Sequence, residues 1–131
     1  MDISNFRAHL IDHQLIQELT QNYEAKNYAA INAKRPEPDS KEYTLDLDVL
    51  TEYLQFVAEE AKEQGFEEVK ITVKMGQYPT DRIIGPLQKE NTKGFQTICF
   101  VPKYKKAGGN SYKTEGDIPG MNYVTITPPN P

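Results

Sequence analysis

The chain changes its hydrophobic period at Gly65, and this change restricts the possible folds more than any other feature. After Gly65, residues 69–75 alternate strictly between apolar and polar, which predicts a strand with one buried face. Before it, a helix is predicted over 48–64, with Asp48 as its N-cap. Its apolar face consists of Leu50, Tyr53, Leu54, Val57, Ala58 and Ala61. A helix followed at once by a half-buried strand indicates an α+β fold.

Four further segments have the patterns of secondary structure. A first helix is predicted to begin at Asp12, as its N-cap, and to end before Pro36. Residues 43–47 and 123–127 have the character of short strands, the first with its apolar side chains inward. Residues 95–101 are apolar on both faces, which predicts a central strand. We therefore expect two helices packed on one face of a small, mostly antiparallel sheet of three to four strands.

Length and composition predict a single domain, 1–131, in the cytoplasm. A chain of 131 residues is typical of one domain. Its one cysteine, Cys99, excludes an intrachain disulfide and favours a reducing compartment. The first residues lack the basic and apolar regions of a signal peptide. No apolar run approaches the roughly 18 residues of a membrane span, so no membrane partner is expected.

Two segments have no clear period. Residues 79–94 connect the two best strands and are long for a hairpin, which is more typical of functional or mobile connections. Residues 104–121 contain four glycines and are predicted to begin a flexible C-terminal segment at about residue 104.

No complete catalytic or metal-binding set is evident in the sequence. His9 and His13 have the i, i+4 spacing of metal ligands, but no third ligand follows at a useful distance. Cys99 lies mid-strand and is expected to be a small buried hydrophobe. Asp46 and Asp48 form a pair of carboxylates at a strand-to-helix junction, where a structural role is expected. We therefore predict no catalytic residues, no metal and no cofactor.

Three apolar residues in the 79–94 connection are predicted to contact a partner. Ile83, Ile84 and Leu87 stand in a segment that otherwise has an exposed composition, and exposed apolar patches often mark contacts. The alternative is that these three side chains fold back into the core.

A second predicted interaction segment is basic and aromatic. It consists of Lys103, Tyr104, Lys105 and Lys106. Such segments can bind phosphate backbones and stack on bases. The net charge of the chain is −4, however, whereas nucleic-acid domains are usually basic, so nucleic acid is an unlikely partner.

The charges are divided unevenly along the chain. Residues 1–68 carry 6 basic against 15 acidic side chains, and residues 69–131 carry 9 against 4. One interpretation places the acids on helices and the lysines on strands and loops, where both simply face water. The other is a basic face that meets an acidic partner, including another copy of this chain.

Three hypotheses for function follow. The first is a non-enzymatic protein-interaction or binding module, whose partner is an unknown protein or a second copy. The alternative is a small enzyme whose site is assembled from dispersed residues such as Asp46, Tyr78 and Lys103. The third hypothesis is weak nucleic-acid binding through residues 103–113.

The order of short motifs resembles a family of small bacterial proteins of unknown function. The matching motifs are Asn22-Tyr23, Leu45-Asp46-Leu47, Val101-Pro102, Asn122-Tyr123 and Pro128-Pro129. The similarity extends over most of the chain, although the tail cysteines of that family are absent here. The resemblance implies the same order of helices and strands and carries no activity with it.

Overall fold

The computed structural model describes residues 6–86, 88–112 and 117–130. These residues form three α-helices and four strands, together with short 3₁₀ and π turns. The helices are α1 (His13–Tyr23), α2 (Ala29–Asn32) and α3 (Leu47–Glu63). The strands are β1 (Glu42–Thr44), β2 (Phe66–Gln77), β3 (Gln96–Lys106) and β4 (Thr125–Thr127). The chain divides into two compact units, 1–39 and 40–131.

The first unit is helical. Asp12 caps α1 as predicted, because its carboxylate accepts a hydrogen bond of 2.8 Å from the amide of Leu15. A single π turn, Glu24–Tyr28, joins α1 to α2 without interrupting the helical path. The segment after α2 is tied back by the Tyr28 hydroxyl, which donates to the carbonyl oxygen of Asp39 at 2.8 Å.

The second unit contains the main core, in which α3 packs on the long hairpin of β2 and β3. Tyr53, Val57 and Ala61 recur on one face of α3 and are all buried. They meet Tyr104 of β3 and Ile118 in one apolar cluster. Gly65 ends the helical segment with a φ of +75°, the left-handed conformation predicted for it.

β2 and β3 pair in antiparallel register along almost their whole length, with one irregularity. Glu67 lies opposite Lys105 and Lys70 lies opposite Lys103, so two residues of β2 span the single residue Tyr104. This β-bulge contains Glu68, whose φ is +50°. The bulge exchanges the two faces of β2 relative to those of β3, because side chains alternate along a strand.

β1 and β4 form a second antiparallel sheet, in which Tyr43 lies opposite Ile126. Ile126 is buried with Tyr78 and Phe95 in a separate apolar cluster. The Ser40 hydroxyl donates to the carbonyl oxygen of Gln96, which ties the start of β1 to β3. The two small sheets are thereby held together within the second unit.

The α+β class and the antiparallel strands are confirmed, but the strands do not form one sheet. They make two sheets of two strands each. β3 was expected to be central, yet β2 is the only strand that pairs with it among the described residues, and one isolated bridge joins Phe100 to Met121. The close approach at this bridge requires Gly120, since a Cβ atom there would lie 2.8 Å from the Phe100 carbonyl oxygen.

Two details at the start of α3 differ from the predictions. Leu47 begins the helix and is 76% exposed, rather than ending a strand with its side chain inward. The N-cap position belongs to Asp46, and Asp48 lies in the first turn. The cause is that β1 ends at Thr44, where its three-residue pairing with β4 ends.

The segment predicted to become flexible at about residue 104 begins inside β3. Residues 104–106 continue the ladder with β2, and Tyr104 is 1% exposed. Burial of this ring accounts for the longer strand, because the aromatic side chain packs against the helix and against Phe66. Residues 113–116 of the same segment lie outside the described residues.

Candidate functional site

A cleft of about 520 Å³ lies in the second unit, beside β1, β4 and the start of α3. Its walls come from four parts of the chain: residues 44–46 with Val49, Tyr78, residues 85, 86 and 88, and residues 121–125. Apolar side chains make up much of the wall. They belong to Leu45, Val49, Pro86, Met121 and Val124. The remaining lining groups include a few polar side chains that are hydrogen-bonded to one another.

One polar group of the cleft is a hydrogen-bonded chain centred on Asn122. The Tyr78 hydroxyl donates to the side-chain oxygen of Asn122 at 3.1 Å. The Asn122 amide in turn donates to the carbonyl oxygen of Ile98 at 2.8 Å and to the Thr97 hydroxyl at 3.2 Å. These bonds fix the orientation of the amide, because each end of it has a different partner.

The backbone places Tyr78 and Asn122 beside each other. Tyr78 follows β2 and continues its ladder, with its amide donating to the carbonyl oxygen of Phe95 at 2.9 Å. Asn122 follows the bridge between Met121 and Phe100, which has hydrogen bonds of 2.8 and 2.9 Å. Both side chains are therefore held by paired backbone, which makes their separation well defined.

A second polar group of the cleft is a carboxylate–phenol pair. The Tyr123 hydroxyl donates to the Asp46 carboxylate at 3.3 Å. The charge of Asp46 and this hydrogen bond raise the pKa of the Tyr123 phenol, because both disfavour the tyrosinate. Asp46 makes no capping hydrogen bond with α3, and it lines the cleft.

We expect Asp46→Asn to lower the pKa of Tyr123 towards its ordinary value. The unfolded chain lacks the pair, so the folded state holds the phenolic proton more tightly. This contribution to stability is present below the unfolded pKa of about 10 and is lost as the pH rises through the folded pKa. A ¹³C NMR titration of labelled tyrosine measures the shift. Asp48→Asn is the matched control, and an equal shift in both variants would contradict the pairing.

The net charge of the described lining residues is negative. Asp46 is the only charged residue among the lining residues that the structure describes. A ligand with an apolar body and a hydrogen-bond donor matches these walls, since Asp46 accepts hydrogen bonds and the apolar side chains exclude water.

Two residues of the predicted partner loop directly precede the wall of the cleft in the chain. Ile83 and Ile84 are 37% and 50% exposed, and the chain then enters the cleft wall at Gly85 and Pro86. Leu87 lies outside the described residues. The contact predicted for these three residues stays a prediction.

The structure separates the members of the predicted basic and aromatic segment. Lys103 and Lys105 of β3 project from the same face of the β2–β3 hairpin as Lys70 of β2, because Lys70 lies directly opposite Lys103. Tyr104 is in the core, so its side chain is not available to a partner on the surface. Lys106 follows Tyr104 by two residues and lies opposite Phe66.

The structure brings together two of the three residues named for a dispersed enzyme site. Asp46 and Tyr78 both line the cleft, whereas Lys103 lies near the ring of Tyr112 instead. Asn122 and Tyr123 were not predicted as lining residues. Both belong to the short motif Asn122-Tyr123, and Tyr123 begins the predicted strand 123–127, but neither pattern indicates a cleft.

None of the protein-family models, curated proteins or solved structures compared with this chain gives a match. The resemblance to a bacterial family therefore stays a prediction that rests on short motifs. Within 6–86, 88–112 and 117–130, no cluster of three or more histidine, cysteine, aspartate or glutamate side chains has the arrangement of a metal site. No helix in these ranges has the length and apolar character required to cross a bilayer.

Proposed function

We propose that this protein is a non-enzymatic binding module that holds its ligand in the cleft beside Asp46 and Asn122. The observation that carries the proposal is the hydrogen-bonded chain from Tyr78 through Asn122 to Thr97. It fixes the orientation of the Tyr78 and Asn122 side chains, which line the cleft, and groups that are already held in place lower the entropic cost of binding. The volume of about 520 Å³ suits a small molecule or one large side chain of a partner.

The chemistry of the lining favours binding over catalysis. The lining residues that the structure describes include no histidine, cysteine or lysine that would act with Asp46 as a nucleophile–base pair. The exposed Ile83 and Ile84 beside the cleft would extend an apolar contact to a larger partner, such as an unknown protein or a second copy. The single thiol of Cys99 supports a cytoplasmic location for this module.

The experiment is a titration of the full chain with indole, phenol and cyclohexanol, followed by amide chemical shifts. These neutral probes combine an apolar body with one hydrogen-bond donor. We expect saturable binding of at least one probe to the wild type. Val49→Phe, which places a ring into the cleft wall, should weaken that binding about tenfold or more.

Val73→Phe is the matched control, because Val73 is exposed on β2 and does not line the cleft. It makes the same change in volume and should leave binding unchanged. The absence of saturable binding by all three probes would contradict the proposal. So would an equal loss in both variants.

A small enzyme is the second candidate, favoured by the meeting of Asp46 and Tyr78 in one cleft. In that case Asp46 would act as a general base on a bound hydroxyl or amine. The enzyme would be favoured if the wild type chemically converted a bound probe. The variant Asp46→Asn should then abolish this turnover but still bind the probe. Binding without turnover in the wild type supports the module.

A further inference from the structure

Three lysine ammonium groups converge on one tyrosine ring at the bulged end of the β2–β3 hairpin. The ammonium nitrogens of Lys105 and Lys70 lie 4.6 and 4.7 Å from the centre of the Tyr112 ring. The nitrogen of Lys103 lies 6.0 Å from the same centre. We call these four residues the lysine cluster. Its positive charge is concentrated within the reach of one small molecule.

The β-bulge creates this cluster. In an uninterrupted ladder Val69 would lie opposite Lys103, and Lys70 would project from the other face of the sheet. The extra residue places Lys70 directly opposite Lys103. Bulges often re-aim a side chain at functional sites. The backbone therefore brings the third positive charge to this face.

The arrangement is unfavourable by itself. Like charges directly opposite each other in adjacent strands repel and destabilise the pairing. The electron-rich face of Tyr112 offsets part of this repulsion through cation–π contacts. Unfavourable interactions of this kind are expected at functional sites, where a bound ligand offsets the repulsion between the lysines.

One carboxylate contacts the cluster among the residues that the structure describes. Glu68 forms an ion pair of 3.0 Å with Lys105 and accepts a hydrogen bond of 3.4 Å from the Tyr112 hydroxyl. Its hydrogen bond and attraction to Lys105 lower the pKa of Glu68 and raise that of Lys105. Both side chains are thus charged at neutral pH. Glu67 lies opposite Lys105 on the same face of the sheet, so the three lysines face two carboxylates and the cluster keeps an excess of positive charge.

We propose that the lysine cluster binds a compact anion that carries two or more phosphate groups. Lysine ammonium groups are point charges with three donors each and bind phosphate oxygens well. The cluster converges on one ring instead of following an extended track, and the chain has a net charge of −4. Both features favour a small polyphosphate group over the backbone of a nucleic acid, which a basic stripe would follow.

The experiment is a titration of the full chain with inorganic tripolyphosphate, measured by calorimetry and by amide shifts. The variant Lys70→Gln/Lys103→Gln/Lys105→Gln is expected to raise the Kd about tenfold or more. The control variant Lys26→Gln/Lys34→Gln/Lys62→Gln removes the same charge elsewhere and should leave the Kd within about twofold. Glu68→Gln should lower the Kd about twofold or more, because it removes the competing carboxylate.

A single-stranded oligothymidylate provides the comparison with nucleic acid. We expect it to bind more weakly than tripolyphosphate at about 50 mM salt and to lose binding by about 200 mM. Tighter binding of the oligonucleotide through the same lysines would overturn the compact-anion proposal in favour of nucleic acid. An equal effect of both triple variants, or no binding of tripolyphosphate at low salt, would also overturn it. None of these outcomes bears on the cleft, which the neutral probes test separately.

Discussion

Tyr104→Ala is expected to lower the free energy of unfolding by about 3–5 kcal/mol, the usual cost of removing a large buried aromatic ring. The Tyr104 side chain is 1% exposed and packs among the buried residues of α3. Its ring also stacks on that of Phe66, with the ring centres 4.1 Å apart. Denaturation by urea, followed by circular dichroism, measures the loss. Lys103→Ala, one residue earlier and only half-buried, should cost less than about 1 kcal/mol.

Tyr104→Phe separates the ring from its hydroxyl. The Tyr104 hydroxyl is buried and has no hydrogen-bond partner among the residues that the structure describes. Removing an unpaired buried hydroxyl recovers its desolvation cost, so this variant should match or exceed the wild type in stability. A large loss in Tyr104→Phe would show that the hydroxyl is paired. A small loss in Tyr104→Ala would show that the ring is not part of the core.

Asn122→Ala is expected to lower the free energy of unfolding by about 1–3 kcal/mol, although Asn122 itself is exposed. Most exposed positions tolerate substitution within about 0.5 kcal/mol. Here the substitution removes the acceptor of the Tyr78 hydroxyl, whose side chain is 5% exposed. It also removes the donor to the Ile98 carbonyl oxygen. Thermal denaturation of the purified variant measures the change.

The Tyr78→Phe background tests the physical reason for that loss. Without the Tyr78 hydroxyl, Asn122→Ala no longer leaves a buried donor unpaired. The cost of Asn122→Ala should then fall by about 0.5 kcal/mol or more, which a double-mutant cycle detects. Additive effects of the two substitutions would show that Tyr78 and Asn122 are not coupled.

The sequence predicted where α3 and β2 lie, but not which of their apolar side chains are buried. α3 extends over Leu47–Glu63 where 48–64 was predicted, but Leu54 of its predicted apolar face is 41% exposed. β2 includes the whole of the alternating segment 69–75, but Val73 of its predicted buried face is 54% exposed. Gly65 separates the two as expected, since only a residue without a Cβ atom adopts a φ of +75° at little cost.

The errors arose where long-range pairing determined the structure. β3 extends through Lys106 because β2 pairs with it there, although the sequence of that end is mostly charged and loop-like. Tyr104 was grouped with its lysine neighbours for the same reason. The alternating pattern of residues does not indicate the β-bulge at Glu68. The pairing of Lys70 opposite Lys103 was therefore not predictable from the sequence.

The cleft was the least predictable feature. Asp46 and Tyr78 were named together only as an example of dispersed residues, and Asn122 and Tyr123 had no assigned role. These four side chains meet because the bridge between Met121 and Phe100 returns the chain to β3. No local signal reports a contact between residues that are more than seventy positions apart, such as the 3.3 Å hydrogen bond between Asp46 and Tyr123.

The most direct test of the cleft as the binding site is a map of amide shifts on adding indole to the full ¹⁵N-labelled chain. We predict saturable shifts concentrated in residues 44–46 and Val49, at Tyr78 and in residues 121–125, which line the cleft. The shifts of Lys70, Lys103 and Lys105 should not change. Shifts confined to residues away from the cleft, or no saturable shift with indole, phenol or cyclohexanol, would contradict it.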